Sequence, residues 1–137
     1  MNKINIPGTQ CINDNTRAIA FSPNSRYLAV GSVSNKIIIY SIKSIPEGEI
    51  FVTFEGHFES ITSLIFSSDS TALYSSSFDG TVCIWNLYEK KLMNKVSFGA
   101  ANMITSLVKD KSETAFYVSF LRGNVEVFNR FFTSKIR

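Results

Sequence analysis

Three segments of this chain follow one grammar, and their spacing sets what the chain can fold into. The segments are RAIAFSPNSRYLAVGSVSNKIIIYSI, SITSLIFSSDSTALYSSSFDGTVCIWNL and MITSLVKDKSETAFYVSFLRGNVEVFN. Each has a short apolar run, a polar turn, a β-rich run, another turn, and a third β-rich run ending on an aromatic. Those aromatics are Tyr40, Trp85 and Phe128, 45 and 43 positions apart. The residues six places before them, Ser34, Asp79 and Arg122, lie in turns and repeat the same intervals. Such a period marks an array of similar units, each too small to bury its own apolar face and therefore stacked on its neighbours.

The runs read as strands, because Ile, Val, Phe, Tyr and Thr dominate them. Turn formers such as Ser22-Pro23-Asn24, Asp79-Gly80 and Arg122-Gly123-Asn124 separate them. Asp79-Gly80 predicts a tight hairpin, since glycine takes the positive φ that such turns need. A fourth strand per unit is predicted over 49–54, 91–98 and 131–136. No window of a dozen residues keeps a helical period with caps. The chain is therefore expected to be all-β, with about three four-stranded antiparallel units over 17–55, 60–98 and 103–136. Residues 1–16 are expected to form an N-terminal strand and the loop entering the first unit, within one domain spanning 1–137.

Composition removes several classes. Of 137 residues, 45% are hydrophobic and 18% charged, and 12 Phe, 5 Tyr and 1 Trp argue against disorder. A net charge of +3 is too small for a nucleic-acid footprint by itself. The apolar stretches, such as 37–40 and 64–66, are too short to span a bilayer, and the first ten residues lack the apolar core of a secretory signal. Cys11 and Cys83 stand far apart with no second pair, so neither a disulfide framework nor a metal site is expected. One histidine excludes His-rich metal chemistry, and seven dispersed glycines make no phosphate-cradling loop. No cofactor is expected. An intracellular protein, nuclear, nucleolar or cytoplasmic and not secreted, is the default.

The second unit carries a resemblance. Gly56-His57, then Asp79 22 positions after His57, then Trp85-Asn86, resembles a blade of the WD-repeat family, which usually ends in Trp-Asp. The other units depart from it. Tyr40 and Phe128 replace the tryptophan, Ser34 and Arg122 the aspartate, and Gly99-Ala100 stands where Gly-His belongs in the third. The resemblance implies a partial WD-repeat β-propeller. His57, Asp79 and one of Ser75 to Ser77 also invite a hydrolase triad reading. The resemblance implies instead one buried hydrogen-bond network of His57, Ser75, Asp79 and Trp85, with Ser75 preferred although Ser77 shares its face of the strand. No nucleophile elbow accompanies these residues, so no enzyme is expected. Cys83 shares strand parity with Trp85 and is expected to be a small buried hydrophobe. Phe51, Phe54, Phe66, Phe98 and Phe116 are expected between blades.

In the WD-repeat family the partner face is formed by the loops entering each blade and by the turn between its second and third strands. Carried over, these are 11–17, 57–60 and 100–103, with turns 32–36, 78–80 and 121–123. Phe58, Phe78 and Arg122 are the candidate partner-face residues. The implied function is a scaffold that binds other proteins. An alternative is contact with RNA or a ribosome precursor, for which Lys90, Lys91, Arg130, Lys135 and Arg137 are the available cations. The stretch GHFESITSLIFSSDSTALYSSSFDGTVCIWNL, followed by KVSFGAANMITSLVKDKSETAFYVSFLRGNVEVFN, is similar to the WD-repeat subunit of the nucleolar complex that matures large-ribosomal-subunit precursors. Propellers close with roughly 4 to 8 blades, and about three are present. Three blades leave a face and an edge strand open at both ends. Three expectations follow: a chain that is the N-terminal portion of a longer product, two copies joined three to three, or a partner that supplies the missing blades.

Overall fold

The computed structural model describes residues 15–42 and 48–132. Among the described residues, alternating β-rich and turn segments become eleven strands: β1 (Thr16–Phe21), β2 (Tyr27–Ser32), β3 (Lys36–Ile42), β4 (Gly48–Glu55), β5 (Ile61–Phe66), β6 (Ala72–Ser77), β7 (Thr81–Asn86), β8 (Lys91–Ser97), β9 (Ile104–Lys109), β10 (Ala115–Phe120) and β11 (Val125–Asn129). They pair antiparallel and in sequence order into sheets β1–β4, β5–β8 and β9–β11. The protein is all-β, a partial propeller. The third sheet has three strands among the described residues. Of the fourth strand expected over 131–136, Phe131 and Phe132 lie in a turn and the rest falls outside the described residues, as does the expected N-terminal segment up to Asp14. No helix among the described residues is long and apolar enough to cross a membrane.

The period seen in the sequence returns as a period in backbone geometry. The turns after β1, β5 and β9 each place a non-glycine residue at positive φ: Ser25, Ser70 and Glu113, at 61°, 62° and 59°. The turns after β2, β6 and β10 also hold a positive φ, at Asn35, Gly80 and Gly123. Side chains hold the first set. Asp69 accepts from the Ser67 hydroxyl at 2.6 Å and the Thr71 amide at 3.1 Å, and Asp110 accepts from the amides of Thr114 and Ala115. In the first unit Asn24 takes the place of the aspartate, accepting from Ser22 Oγ at 2.6 Å and the Arg26 amide at 3.0 Å. Local side-chain bonds of this kind offset the cost of left-handed backbone.

Each sheet stacks face to face on the next. The front of the first sheet, with Ala29, Ile37 and Ile39, meets the back of the second, with Ile61, Leu64, Leu73 and Trp85. The front of the second, with Tyr74, Val82 and Ile84, meets the back of the third, with Ile104, Leu107, Phe116, Val118 and Phe128. A sheet covered on both faces loses the apolar–polar alternation of a half-exposed strand, and β6 is buried at all six positions. Of the phenylalanines expected between blades, Phe54 and Phe66 lie in the first junction with Phe51 at its margin. Phe116 lies in the second, with Phe98 at its margin.

The two ends of the arc differ. On the back of the first sheet Leu28, Val30, Ile38 and Tyr40 are buried, although Ile19 and Phe21 stay exposed. On the front of the third sheet Val108, Tyr117 and Val125 are 53%, 39% and 62% exposed.

The first junction has no slack at Gly31, where an added Cβ would lie 2.6 Å from Ile61 Cγ2. Gly31→Ala is expected to cost about 1–3 kcal/mol through overpacking, read as a lower urea midpoint with unchanged slope; an unchanged midpoint would show that the junction yields.

Candidate functional site

The second blade concentrates the polar chemistry of the core. Antiparallel pairing places Ser75 opposite Cys83 and Leu73 opposite Trp85. The connection from β4 to β5 brings His57 beneath the β6–β7 turn. The Trp85 indole N–H donates to Ser75 Oγ at 2.8 Å, and Ser75 Oγ lies 2.7 Å from His57 Nε2. With one proton already received, the Ser75 hydroxyl donates its own to Nε2, which leaves the ring proton on Nδ1 facing Asp79 Oδ2 at 3.1 Å. Asp79 is then saturated: Oδ2 accepts the Phe58 amide at 2.9 Å, and Oδ1 accepts the Thr81 amide at 2.8 Å together with the Thr81 hydroxyl. Residues 57, 75, 79 and 85 therefore meet in one chain of hydrogen bonds. Thr81, which the sequence reading passed over, completes it two places after Asp79, where an aspartate at a turn typically caps an amide.

Ser77, on the same face of β6, bonds outside this network, donating to the Glu59 carbonyl at 3.1 Å and accepting the Asp79 amide. Ser76 pairs with Thr62 at 2.9 Å. Each buried hydroxyl of this serine run thus has a partner, as buried polar groups must. Phe54 stacks on Trp85 with centroids 4.4 Å apart, tying the network to the first sheet. Gly56 is small by necessity, because a Cβ there would lie 2.9 Å from the Trp85 ring.

Burial works to raise the Asp79 carboxyl, but hydrogen bonds from His57, Thr81 and the Phe58 amide outweigh it and hold it well below the usual carboxylate range. Burial pushes the Cys83 thiol up to about 12, which leaves it protonated and unreactive. Ser75 is fully buried, so its hydroxyl meets ring nitrogens rather than solvent.

The network lies directly under the rim where the expected partner-face residues stand. Rim loops are tied together: the Phe78 amide donates to the Ser60 carbonyl at 3.1 Å, Ser60 Oγ to the Val33 carbonyl at 3.2 Å, and the Leu121 amide to the Met103 carbonyl at 2.9 Å. Gly80 allows the close approach of two rim loops, since a Cβ would collide with the Gly99 carbonyl. Phe58 is 75% exposed, with Lys95 Nζ 4.5 Å from its ring centroid. Lys95 is fixed by donating to the Gly56 carbonyl at 2.8 Å. Phe78 is half-buried under Arg17, whose guanidinium sits 4.6 Å from the ring centroid. Arg122 is exposed and donates from Nε to Asn124 at 2.9 Å. The expected loop segment at 11–14 lies outside the described residues.

Arg17 is a rim residue that the sequence reading did not single out. The innermost strand of each blade carries a bulge, which sets out Arg17, Thr62 and Thr105 at the rim end. Thr62 and Thr105 are tied back to Ser76 and Ser119 at 2.9 and 2.8 Å. Gly31 stands opposite in the first blade, so Arg17 turns to Phe78 instead. The same 45- and 43-residue period contained that signal.

A family model described as "WD domain, G-beta repeat" matches residues 8–41 and 48–86, more than half of the chain. The chain belongs to the WD40-repeat family. Among curated proteins it is 37% identical over 73 residues to Periodic tryptophan protein 2 of Arabidopsis thaliana, covering 53% of this chain and 8% of that protein. It is 32% identical over 69 residues to Pre-rRNA-processing protein IPI3 of Mycosarcoma maydis, covering 50% and 11%. The chain thus spans a small fraction of the relatives it matches. The fold is that of the crystallised Cps50 (Swd1) beta-propeller domain of Myceliophteria thermophila, with a TM-score of 0.75, 18% identity, and coverage of 90% of this chain and 38% of that one. WD40 propellers are generally non-catalytic scaffolds that mediate protein–protein interactions.

Two outcomes follow for the WD40 network. Trp85→Phe removes the donor to Ser75 and is expected to lower stability by about 1–3 kcal/mol, measured by chemical denaturation. Depressed carboxylates contribute stability above their unfolded pKa near 4 and lose it as pH falls through the folded value. Asp79 lies well below its ordinary value, and hydrogen bonds from Ser67 and Thr71 lower Asp69 to about 2. The melting temperature is therefore expected to fall between pH ~4 and ~2. Asp79→Asn should melt lower at neutral pH and show a shallower acid decline; an unchanged acid profile would remove Asp79 from this account.

Proposed function

We propose that this WD40 chain is a protein-binding scaffold whose partner meets the rim at Phe58, Phe78 and Arg122, and that it has no chemistry of its own. The observation that carries this reading is Phe58, a large aromatic held in solvent on a loop whose backbone is anchored from beneath. Asp79 fixes the Phe58 amide, and Lys95, held by the Gly56 carbonyl, covers one side of the ring. Aromatics and arginine supply most hot-spot energy, and a pre-ordered side chain gives up little entropy on binding. The His57, Ser75, Asp79 and Trp85 network serves as the footing of that rim.

A second reading places the scaffold in ribosome-precursor assembly, in the nucleolus or nucleus. The partial likeness to Pre-rRNA-processing protein IPI3 favours it, as does the resemblance of the second and third units to the nucleolar WD-repeat subunit. Direct RNA contact and a protein contact within such an assembly differ in their response to salt. Phosphate contacts weaken binding steeply as salt rises, with a slope of about −0.7 per contact for single strands.

The test is affinity purification with mass spectrometry from cells that make the protein. Phe58→Ala and Arg122→Ala are each expected to lose one set of co-purifying proteins by tenfold or more, with unchanged melting temperature. Retention of all partners by both variants would remove the rim from the reading. RNA binding by purified protein, absent even at low salt, would leave only the protein-mediated form of the second reading.

A further inference from the structure

The period of the chain shows where the rim carries charge that the fold itself does not use. At the bulged position of the innermost strand, the second and third blades have Thr62 and Thr105, whose hydroxyls pair with Ser76 and Ser119. The first blade has Arg17 there, and Gly31 in place of the serine. In the turn between the second and third strands, Ser34 meets Ser32 at 3.0 Å, and Asp79 is bonded through both carboxylate oxygens. The third blade has Arg122 at that position, and only its Nε finds an acceptor, at Asn124. Twice, therefore, the repeat exchanges a self-satisfied polar side chain for an exposed arginine.

Three rim cations stand over aromatic rings: Arg17 over Phe78 at 4.6 Å, Lys95 over Phe58 at 4.5 Å and Arg122 over Phe120 at 5.7 Å. The negative face of a ring attracts the cation and orders it without neutralising it. Among the described residues none of the three has an ion-pair partner; the lysines that do are Lys36 with Glu55, Lys91 with Glu89 and Lys109 with Glu113. Of the rim carboxylates, Glu55 is taken by Lys36, Asp79 is spent on the buried network, and Glu59 is exposed. Arg17 keeps every guanidinium donor, and Lys95 keeps donors beyond the one given to the Gly56 carbonyl. Both flank the same turn, since Asp79 Oδ2 holds the Phe58 amide and Phe78 is its neighbour in the chain. Arg122 stands one blade further on.

We infer, resting on the rim as the partner face, that the partner presents an acidic peptide segment in extended conformation. Stacked sheets lie about 10 Å apart and an extended chain advances about 3.3 Å per residue, so its Asp or Glu side chains stand about three residues apart. One carboxylate is taken by the planar fork of Arg17, which suits bidentate pairing, and a later one by Arg122. An apolar side chain between them lies against Phe58. RNA fits this rim less well. Glu55 and Glu59 repel a continuous run of phosphates, and Arg17 and Lys95 already cover ring faces on which bases would stack.

The test pans the purified full chain against a displayed library of random dodecapeptides and measures the enriched peptides by fluorescence anisotropy. The expected winners carry Asp or Glu about three positions apart. Arg17→Gln and Arg122→Gln should each bind them at least tenfold more weakly, with unchanged melting temperatures. Exchanging the winners' carboxylates for amides should cost as much. Lys111→Gln, in the β9–β10 turn at the opposite ends of the strands, should change nothing. Winners without acidic residues that still lose affinity with Phe58→Ala would overturn the acidic segment and leave the rim as the partner face. Winners indifferent to Phe58→Ala and to both arginine variants would overturn both. An absence of winners would overturn the acidic segment alone. Single-stranded oligouridylate bound more tightly than any winner, and lost in Arg17→Gln, would give these cations to RNA and also overturn it.

Discussion

A four-stranded sheet whose two faces are both apolar has no stable existence in water alone, and that constraint governs this WD40 chain. Burying a large aliphatic or aromatic side chain gains about 1.5–3 kcal/mol, and nearly all such gains here come from sheet-on-sheet contact. The clusters around Trp85 and around Phe116 each draw residues from two sheets. Within a sheet, ladder bonds fix register; between sheets, packing supplies the stability. The turns, the network and the rim all depend on that stacking.

The buried polar network solves a problem that the stacking creates. Covering both faces of β6 buries Ser75, Ser76 and Ser77 together. Each hydroxyl would be costly without a partner. The solution divides them: Ser75 joins Trp85 to His57, Ser76 meets the bulged Thr62, and Ser77 holds the approach to the Asp79 turn. The second blade has the full set because it alone has both Gly-His and an aspartate turn. In the third, valine and phenylalanine stand at 118 and 128, and apolar packing replaces hydrogen bonding.

Much of this was legible in the sequence because repeats expose it. The period located the strands, and the Gly56-His57, Asp79 and Trp85 spacing located the residues that meet in the second blade. What stayed hidden depends on backbone detail or on three-dimensional cover. Ser25, Ser70 and Glu113 adopt left-handed backbone without being glycine or asparagine, so turn signals missed them. Arg17 fell within the expected rim segment 11–17, but nothing in the sequence showed that the bulge would set it over Phe78. The difference between the two ends was invisible, since both sheets have equally apolar runs and only the fold decides which run is covered.

The cross-blade bonds always join nearest neighbours along the chain. Asn24 donates its amide to Ser70, Ser68 its amide to Glu113, and Ser60 its hydroxyl to Val33. None skips a unit. Each of these fastenings therefore needs only the next forty-odd residues of the chain to be present, so neighbouring blades are locked pair by pair.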